Sequence, residues 1–531
     1  MSVAKPRDQS GSNLPEPKYP VDLEVASVNR GESGGHDLHR GLKSRQITMI
    51  AIGGAIGTGL IIGTFVLPTS KLHIKQATDK VISGKSLAQA GPAPLFIGYT
   101  LVGFLCFLVM AALGEMAAWL PMSSGFTGYA TRFCDPALGF ALGWNYWFNI
   151  KVLVILGLIL LSLILACGGG PNHHATGFEY WKSPGAFKPY ILEGSAGRFL
   201  AVWSTFTTAV FAYLGTELVG VTVGEAANPR KVIPRAIRLT FYRILLFYVV
   251  LIFFLGMLVP YNSKDLIDAN KKSSSTASAS PFVVAIKLSG IKVLPGLFNA
   301  CVLIFVFSAA NSDLYIASRT LYGLAHENKA PKIFGKTDKR GMPIYALGLS
   351  TVFCLLAFLG CNTSSYTVFG YFVNLVTMFG LLTWISILIS HIYFVRARQA
   401  QNVPDTALAY VAPLGIYGSY GALVFSCLIA FFKGFALFCY KKTASKGETP
   451  KFDTSTFVTT YLAIPIYIIM IFGYKLIMKS EAVKPETADL YSGKAKIDAE
   501  EQEYLAAEAA QAGGPESRGQ RIYRLTLGWA F

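Results

Sequence analysis

Ile52-Gly53-Gly54-Ala55-Ile56-Gly57-Thr58-Gly59, inside the apolar run 47–67, and Leu214-Gly215-Thr216-Glu217-Leu218, inside the run 201–222, set glycines and polar groups in the middle of stretches otherwise fit to cross a bilayer. In hydrocarbon an unpaired backbone N–H or C=O is so costly that such an interruption persists only where protein or a polar cavity receives the freed groups. A pair of interrupted spans is the pattern of a secondary transporter whose substrate lies near the midplane.

The rest of the chain agrees with a membrane protein. Hydrophobic residues make up 53% of the 531 and charged ones 15%, with a mean hydropathy of +0.45. That leaves too little polar surface to cover a soluble globule of this size. The formal charge of +17 does not point to a nucleic-acid partner, because the basic residues fall in loops between apolar runs and form no single stripe. Positive-inside topology accounts for them. The eight cysteines are scattered singly, with no CxxC pair and no disulfide framework. His173 and His174 are adjacent but have no further ligands near them in sequence, so no metal site is read. No cofactor is expected beyond the proton as coupling ion.

Residues 1–45 are polar and rich in Gly, Ser and Pro, and read as a disordered cytosolic tail. Residues 46–478 form the transmembrane domain, and 479–531, with an acidic cluster at Glu500, Glu501 and Glu503, form a second cytosolic tail. Runs long enough to cross about 30 Å of hydrocarbon fall near 47–67, 95–118, 137–166, 201–222, 240–259, 295–318, 343–360, 368–394, 412–438 and 456–478. A short half-helix over 281–290 precedes the sixth. Arg230, Lys231, Arg235, Arg238 and Arg243 follow the fourth run, and Lys329, Lys332, Lys336, Lys339 and Arg340 follow the sixth. Both linkers are therefore placed in the cytosol, as are Arg40, Lys43 and Arg45 before the first run and Arg396 and Arg398 after the eighth. An even number of spans then puts both termini inside. The loop 439–455, with four lysines, is the one dissenter.

A half-helix that begins at a break exposes unpaired N–H groups and the positive end of its dipole, which suits a carboxylate. Ile56, Gly57, Thr58 and Gly59 fit that role, with the Thr58 hydroxyl as an added donor. The competing reading is close helix packing through Gly53 and Gly57. Glu217 is the sharper signal, since a carboxylate at this depth must be protonated, paired or turned to a cavity. It is the candidate for proton coupling. The alternative is a permanently protonated acid that caps carbonyls freed around Gly215. Carbonyls released near Leu214 and Gly215 suit an ammonium group, so the two breaks together fit a zwitterionic α-amino acid. Asn311, Ser312 and Asp313 face either the same cavity or a neighbouring helix. Lys151 reads as a snorkelling lysine, with a buried titrating amine as the alternative. Glu115, Asp135 and Glu225 lie near span ends, where solvated or capping roles are usual. His391 is the only histidine within the spans, and they offer no clustered His, Asp, Cys or Ser near one membrane face, which argues against an enzyme.

The runs IAIGGAIGTGLIIG, GEMAAWLPMSSGFTGYATRFCDPALGFALGWNYWF, YLGTELVGVTVGEAANPRKVIPRAI, SAANSDLYIASRTLYGLA and APLGIYGSYGALVF resemble fungal amino acid permeases of the amino acid–polyamine–organocation superfamily. Within it, LTFYRILLFY, MLVPYN, SPFVVAIKLSGIK and FGYFVNLVTMFGLLTWIS are most similar to the dicarboxylic amino acid permeases, which import glutamate and aspartate with protons. The resemblance implies an all-α inverted-repeat transporter at the plasma membrane, with the substrate held between the broken first and sixth-equivalent helices. It implies that Ile56, Gly57, Thr58 and Gly59 meet the substrate carboxylate, Leu214 and Gly215 its amine, Phe211 a lid and Glu217 the coupled proton. Asp313 falls where the eighth family helix nears the site. The tails are expected to bind trafficking or ubiquitination machinery. Against the family pattern, about ten spans are found instead of twelve. The third and fourth family helices are truncated at a junction at 149–151, and 65–83 is an atypical insertion. These departures read as a skipped coding segment and a retained intron. The joined third and fifth helices run the same way, so the topology downstream is preserved. A transport-deficient nutrient sensor or a non-functional variant of the same family is the alternative function.

Overall fold

The structure, a computed structural model, describes residues 90–120, 125–138, 175–218, 244–263, 281–291, 314–338, 342–355, 365–439 and 452–492, with isolated positions between and beyond them. Every regular element among the described residues is helical. α1 (Pro92–Trp119) starts where Gly91, at φ +87°, turns the chain into the helix. Pro92 then occupies the first turn, where no N–H donor is needed and its fixed φ is already helical. Its 28 residues make a rod of about 42 Å. Its only charged residue is Glu115. Next come α2 (Gly125–Phe133), α3 (Gly194–Tyr213), a π-helical turn (Ile244–Val250) leading into α4 (Leu251–Leu258), α5 (Pro281–Leu288) and α6 (Ile344–Cys354). The last stretch holds α7 (Ser365–Ala400), α8 (Gly415–Phe432), α9 (Phe435–Phe438), α10 (Thr454–Tyr461) and α11 (Ala463–Met478).

Among the described residues three helices, Pro92–Trp119, Gly370–Ala400 and Gly415–Phe438, are long and apolar enough to cross a membrane. The pair Thr454–Tyr461 and Ala463–Met478, bent by 40°, makes a fourth if taken as one span. These match the expected runs 95–118, 368–394, 412–438 and 456–478. The expected half-helix over 281–290 is α5, and the expected run 240–259 is the π turn with α4. The run 201–222 does not form one rod, because α3 stops at Tyr213. Residues 47–67, 65–83, 139–164 and 295–313 hold the first span, the insertion, the 149–151 junction and most of the sixth span, and almost all of them lie outside the described residues.

α1 and α7 are the centre of the assembly: α1 packs on α3, α4, α7 and α8, and α7 on α1, α2, α8 and α10. The α1–α3 contact is close enough to require Gly98, since a Cβ there would fall 2.0 Å from Thr205 Oγ1. The Thr205 hydroxyl lies 2.6 Å from Val202 O on its own helix and 3.1 Å from Pro94 O across the gap, and its one proton serves either. Small residues that let backbones approach, and hydroxyls that bond across helices, are what hold helices together where apolar burial gives no preference for protein over lipid. Ser386 on α7 and Tyr467 on α11 make a second such pair, 2.5 Å apart.

The start of the segment read as the second cytosolic tail packs on this body. Val483 N–H donates to Cys134 O at 2.9 Å, Trp119 Nε1 to Leu490 O at 3.1 Å and Gln401 Nε2 to Ala488 O at 2.7 Å. Leu490 is buried, and Arg132 pairs with Asp489 at 2.9 Å.

Candidate functional site

The break in α3 is set by backbone conformation. Leu214 N–H still reaches Val210 O at 3.1 Å, but Leu214 itself has ψ 139° and Gly215 takes φ +98°. That is a left-handed region open to glycine and strained for other residues. Thr216, Glu217 and Leu218 then form a single 3₁₀ turn. The turn folds the Glu217 side chain back over the break, so that its Oε2 accepts Gly215 N–H at 3.0 Å and Trp384 Nε1–H from α7 at 3.2 Å. Thr216 Oγ1 lies 3.4 Å from the same oxygen and 3.1 Å from Tyr213 O, and its one proton serves either. Cys106 Sγ on α1 is 2.9 Å from that hydroxyl.

Glu217 is fully buried, all of these partners are neutral, and its Oε1 has no hydrogen-bond partner among the described residues. Among the described residues the carboxyl receives donors at the break and hydrogen-bonds to no carbonyl. Beside it, three tyrosines from three elements come together. Tyr213 stacks on Tyr248 with ring centroids 4.3 Å apart, lies 6.0 Å from the Tyr99 ring and donates its hydroxyl to Tyr99 O at 3.0 Å.

Of the residues singled out from sequence, Phe211, Leu214, Gly215 and Glu217 are present at this break, with Leu214 buried and Phe211 half-buried at the last turn of α3. Ile56, Gly57, Thr58, Gly59 and Asp313 lie outside the described residues, as do Lys151, Asn311, Ser312 and Glu225. Trp384, Cys106, Thr216 and the tyrosines Tyr99 and Tyr248 were missed. Trp384 had a visible signal, an indole N–H in the middle of an apolar run, where it needs an acceptor when buried.

A second buried acid corrects an expectation. Glu115 is 1% exposed and is neither solvated nor a cap of its own helix. Its Oε1 accepts Arg398 Nη2 at 3.1 Å, its Oε2 accepts Ala412 N–H at 2.7 Å, and His391 Nε2 stands 3.3 Å away. The linker from α7 to α8 folds under the end of α1 and removes it from solvent. His391 Nδ1 is 2.9 Å from Ser419 Oγ, so in space this histidine has an acid and a hydroxyl beside it, although neither is near it in sequence. Asp135 does cap, accepting Ala137 N–H at 2.7 Å, and it also pairs with Lys475 at 2.7 Å. Among the described residues no three His, Cys, Asp or Glu side chains gather as metal ligands.

Comparison with known proteins gives one consistent family. The amino acid permease family model matches residues 77–150 and 148–484, two stretches that meet at 148–150. A dicarboxylic amino acid permease of Saccharomyces cerevisiae is 44% identical over 90% of this chain and 83% of its own length. An uncharacterised amino-acid permease of Schizosaccharomyces pombe is 38% identical over 89% of the chain and 96% of its length. The general amino-acid permease of Saccharomyces cerevisiae is 34% identical over 92% and 85%.

Proposed function

Since this chain belongs to the amino acid permease family, we propose that it carries glutamate and aspartate across the plasma membrane together with protons. The observation that carries this reading is the Leu214–Gly215 break with the Glu217 carboxyl folded over it. On this reading the ammonium of the substrate takes the carbonyls at Leu214 and Gly215, and its carboxylate takes the N–H groups of Ile56, Gly57, Thr58 and Gly59. Phe211 closes over it and Asp313 approaches from its own helix. The dicarboxylic class of substrate rests on the yeast relative's description. The broken helices belong to an inverted-repeat core, both termini lie in the cytosol by the distribution of Lys and Arg, and the tails bind trafficking or ubiquitination machinery.

Glu217 is the coupling group because of how it is held. A buried carboxyl with neutral donors on one oxygen and, among the described residues, no partner on the other and no cation beside it changes charge with its surroundings. Oε1 is the atom that takes the proton. Labelled glutamate uptake in a permease-deficient fungal cell tests this. Wild-type uptake rises as the outside is acidified, Glu217→Gln is indifferent to pH, and an unchanged pH profile in the variant removes the role.

The meeting of the two family-matched stretches at 148–150 favours one second reading, a binder that does not transport. It predicts saturable glutamate binding to purified protein without uptake.

A further inference from the structure

α7 carries Trp384, His391 and Arg398 seven residues apart, two helical turns or about 10.5 Å per step along nearly one face. Each meets an acid on another element. Trp384 donates to Glu217 at 3.2 Å, His391 stands 3.3 Å from Glu115, and Arg398 bridges Glu115 at 3.1 Å and Asp405 at 2.8 Å. The series runs from full burial at Glu217 and His391 to an Asp405 side chain that is 72% exposed. It therefore joins the α3 break to solvent at the end of α7, the face read as cytosolic.

Beyond Glu217 the series offers one imidazole, His391, set among fixed charges. Arg398 keeps its proton at any physiological pH. Glu115 is clamped by that guanidinium and by Ala412 N–H. His391 faces Glu115 from α1, Ser419 from α8, Arg398 and Phe394 from its own helix and, through Arg398, Asp405 from the linker. On α2 the apolar Phe133 packs against Phe394. With a neutral imidazole, Glu115, Arg398 and Asp405 sum to one negative charge; an imidazolium brings the sum to zero. Imidazole is also the side chain that ordinarily exchanges protons near cytosolic pH.

We infer that His391 is a second proton-carrying group of the transport cycle, a positioning and relay residue on the cytosolic side of Glu217. The inference rests on the proton-coupled reading above. The proton leaves Glu217 Oε1, is taken by the His391 imidazole beside Glu115, and passes to cytosolic water, returning the ring to its neutral form. Trp384 stands between the two groups in the arrangement described, so the transfer belongs to the state in which the inward path holds water.

The test uses the full chain in proteoliposomes with external pH fixed and internal pH varied from about 7.5 to about 5.5, the range in which imidazole titrates. Net glutamate uptake by the wild type falls several-fold as the inside is acidified. In His391→Gln that dependence flattens and net uptake drops several-fold, while exchange of internal for external glutamate, which needs no net proton release, keeps its wild-type rate. Ser419→Ala, which removes the partner of Nδ1, moves the midpoint of the internal-pH profile without abolishing it. A wild-type internal-pH profile in His391→Gln overturns the inference. If His391→Gln loses exchange as well, Ser419→Ala decides, and an unmoved midpoint there overturns it. Loss of the internal dependence in His391→Gln with intact external dependence in Glu217→Gln keeps His391 as a proton carrier but overturns the relay from Glu217. A wild type indifferent to pH, or carrying nothing, overturns both.

Discussion

Glu217 and Glu115 are both acids buried in apolar surroundings, yet they are held in opposite ways. Glu217 receives neutral donors on one oxygen and, among the described residues, leaves the other bare. Glu115 has both oxygens engaged, one of them by a guanidinium. Burial alone therefore does not make an acid a proton carrier. The presence of a fixed cation decides whether the carboxyl can alternate between charged and neutral forms or must stay ionised.

The largest expected effect separates the two directly. Glu115→Leu leaves the Arg398 guanidinium buried with Asp405 as its one acidic partner among the described residues, and should destabilise the fold by about 3–5 kcal/mol. The double variant Glu115→Leu with Arg398→Met should recover most of that, read by thermal unfolding in detergent. If the single variant unfolds like wild type, Glu115 is not clamped as described. Next comes Gly215→Ala, which forces a Cβ onto a residue at φ +98° and should cost about 1–3 kcal/mol. The loss should appear in glutamate uptake as well as in stability, because the same strain disturbs the N–H that holds Glu217. A variant with intact uptake would show that the break does not depend on a left-handed glycine.

The smallest effect concerns a third acid, Asp489, which is half exposed and outside the spans. Burial works to raise its carboxyl, but Ser492 N–H and the Arg132 guanidinium outweigh that and hold it below the ordinary carboxylate value. A lowered value in the folded state means the contact contributes fully above the unfolded value of about 3.9 and is lost as pH falls through the folded one. Amide exchange over 483–492, corrected for intrinsic rates, should thus be unchanged from neutral pH to about 5 and rise below about 4. A rise already near neutrality would mean that Asp489 does not hold this segment.

Much of this was legible in the sequence for local reasons. The break at Leu214–Gly215 follows from a glycine and a carboxylate inside one apolar run, and the helices over 95–118 and 368–394 follow from length and hydropathy. What was not legible depends on partners far along the chain. Trp384 meets Glu217 across 167 residues, and nothing in either run encodes the pairing. Glu115 reads as solvated because it lies near a span end, and only the folding of the linker, with Ala412 N–H against it, buries it. The docking of 483–492 runs through backbone carbonyls such as Leu490 O, which every residue carries and no side-chain pattern announces.

The most direct test of the central claim is the proton movement that accompanies substrate. When glutamate is added to lightly buffered fungal cells expressing the chain, the medium should become transiently alkaline as protons enter with it, and Glu217→Gln, still reaching the cell surface, should abolish the transient. An alkaline transient of wild-type size in Glu217→Gln would contradict the account.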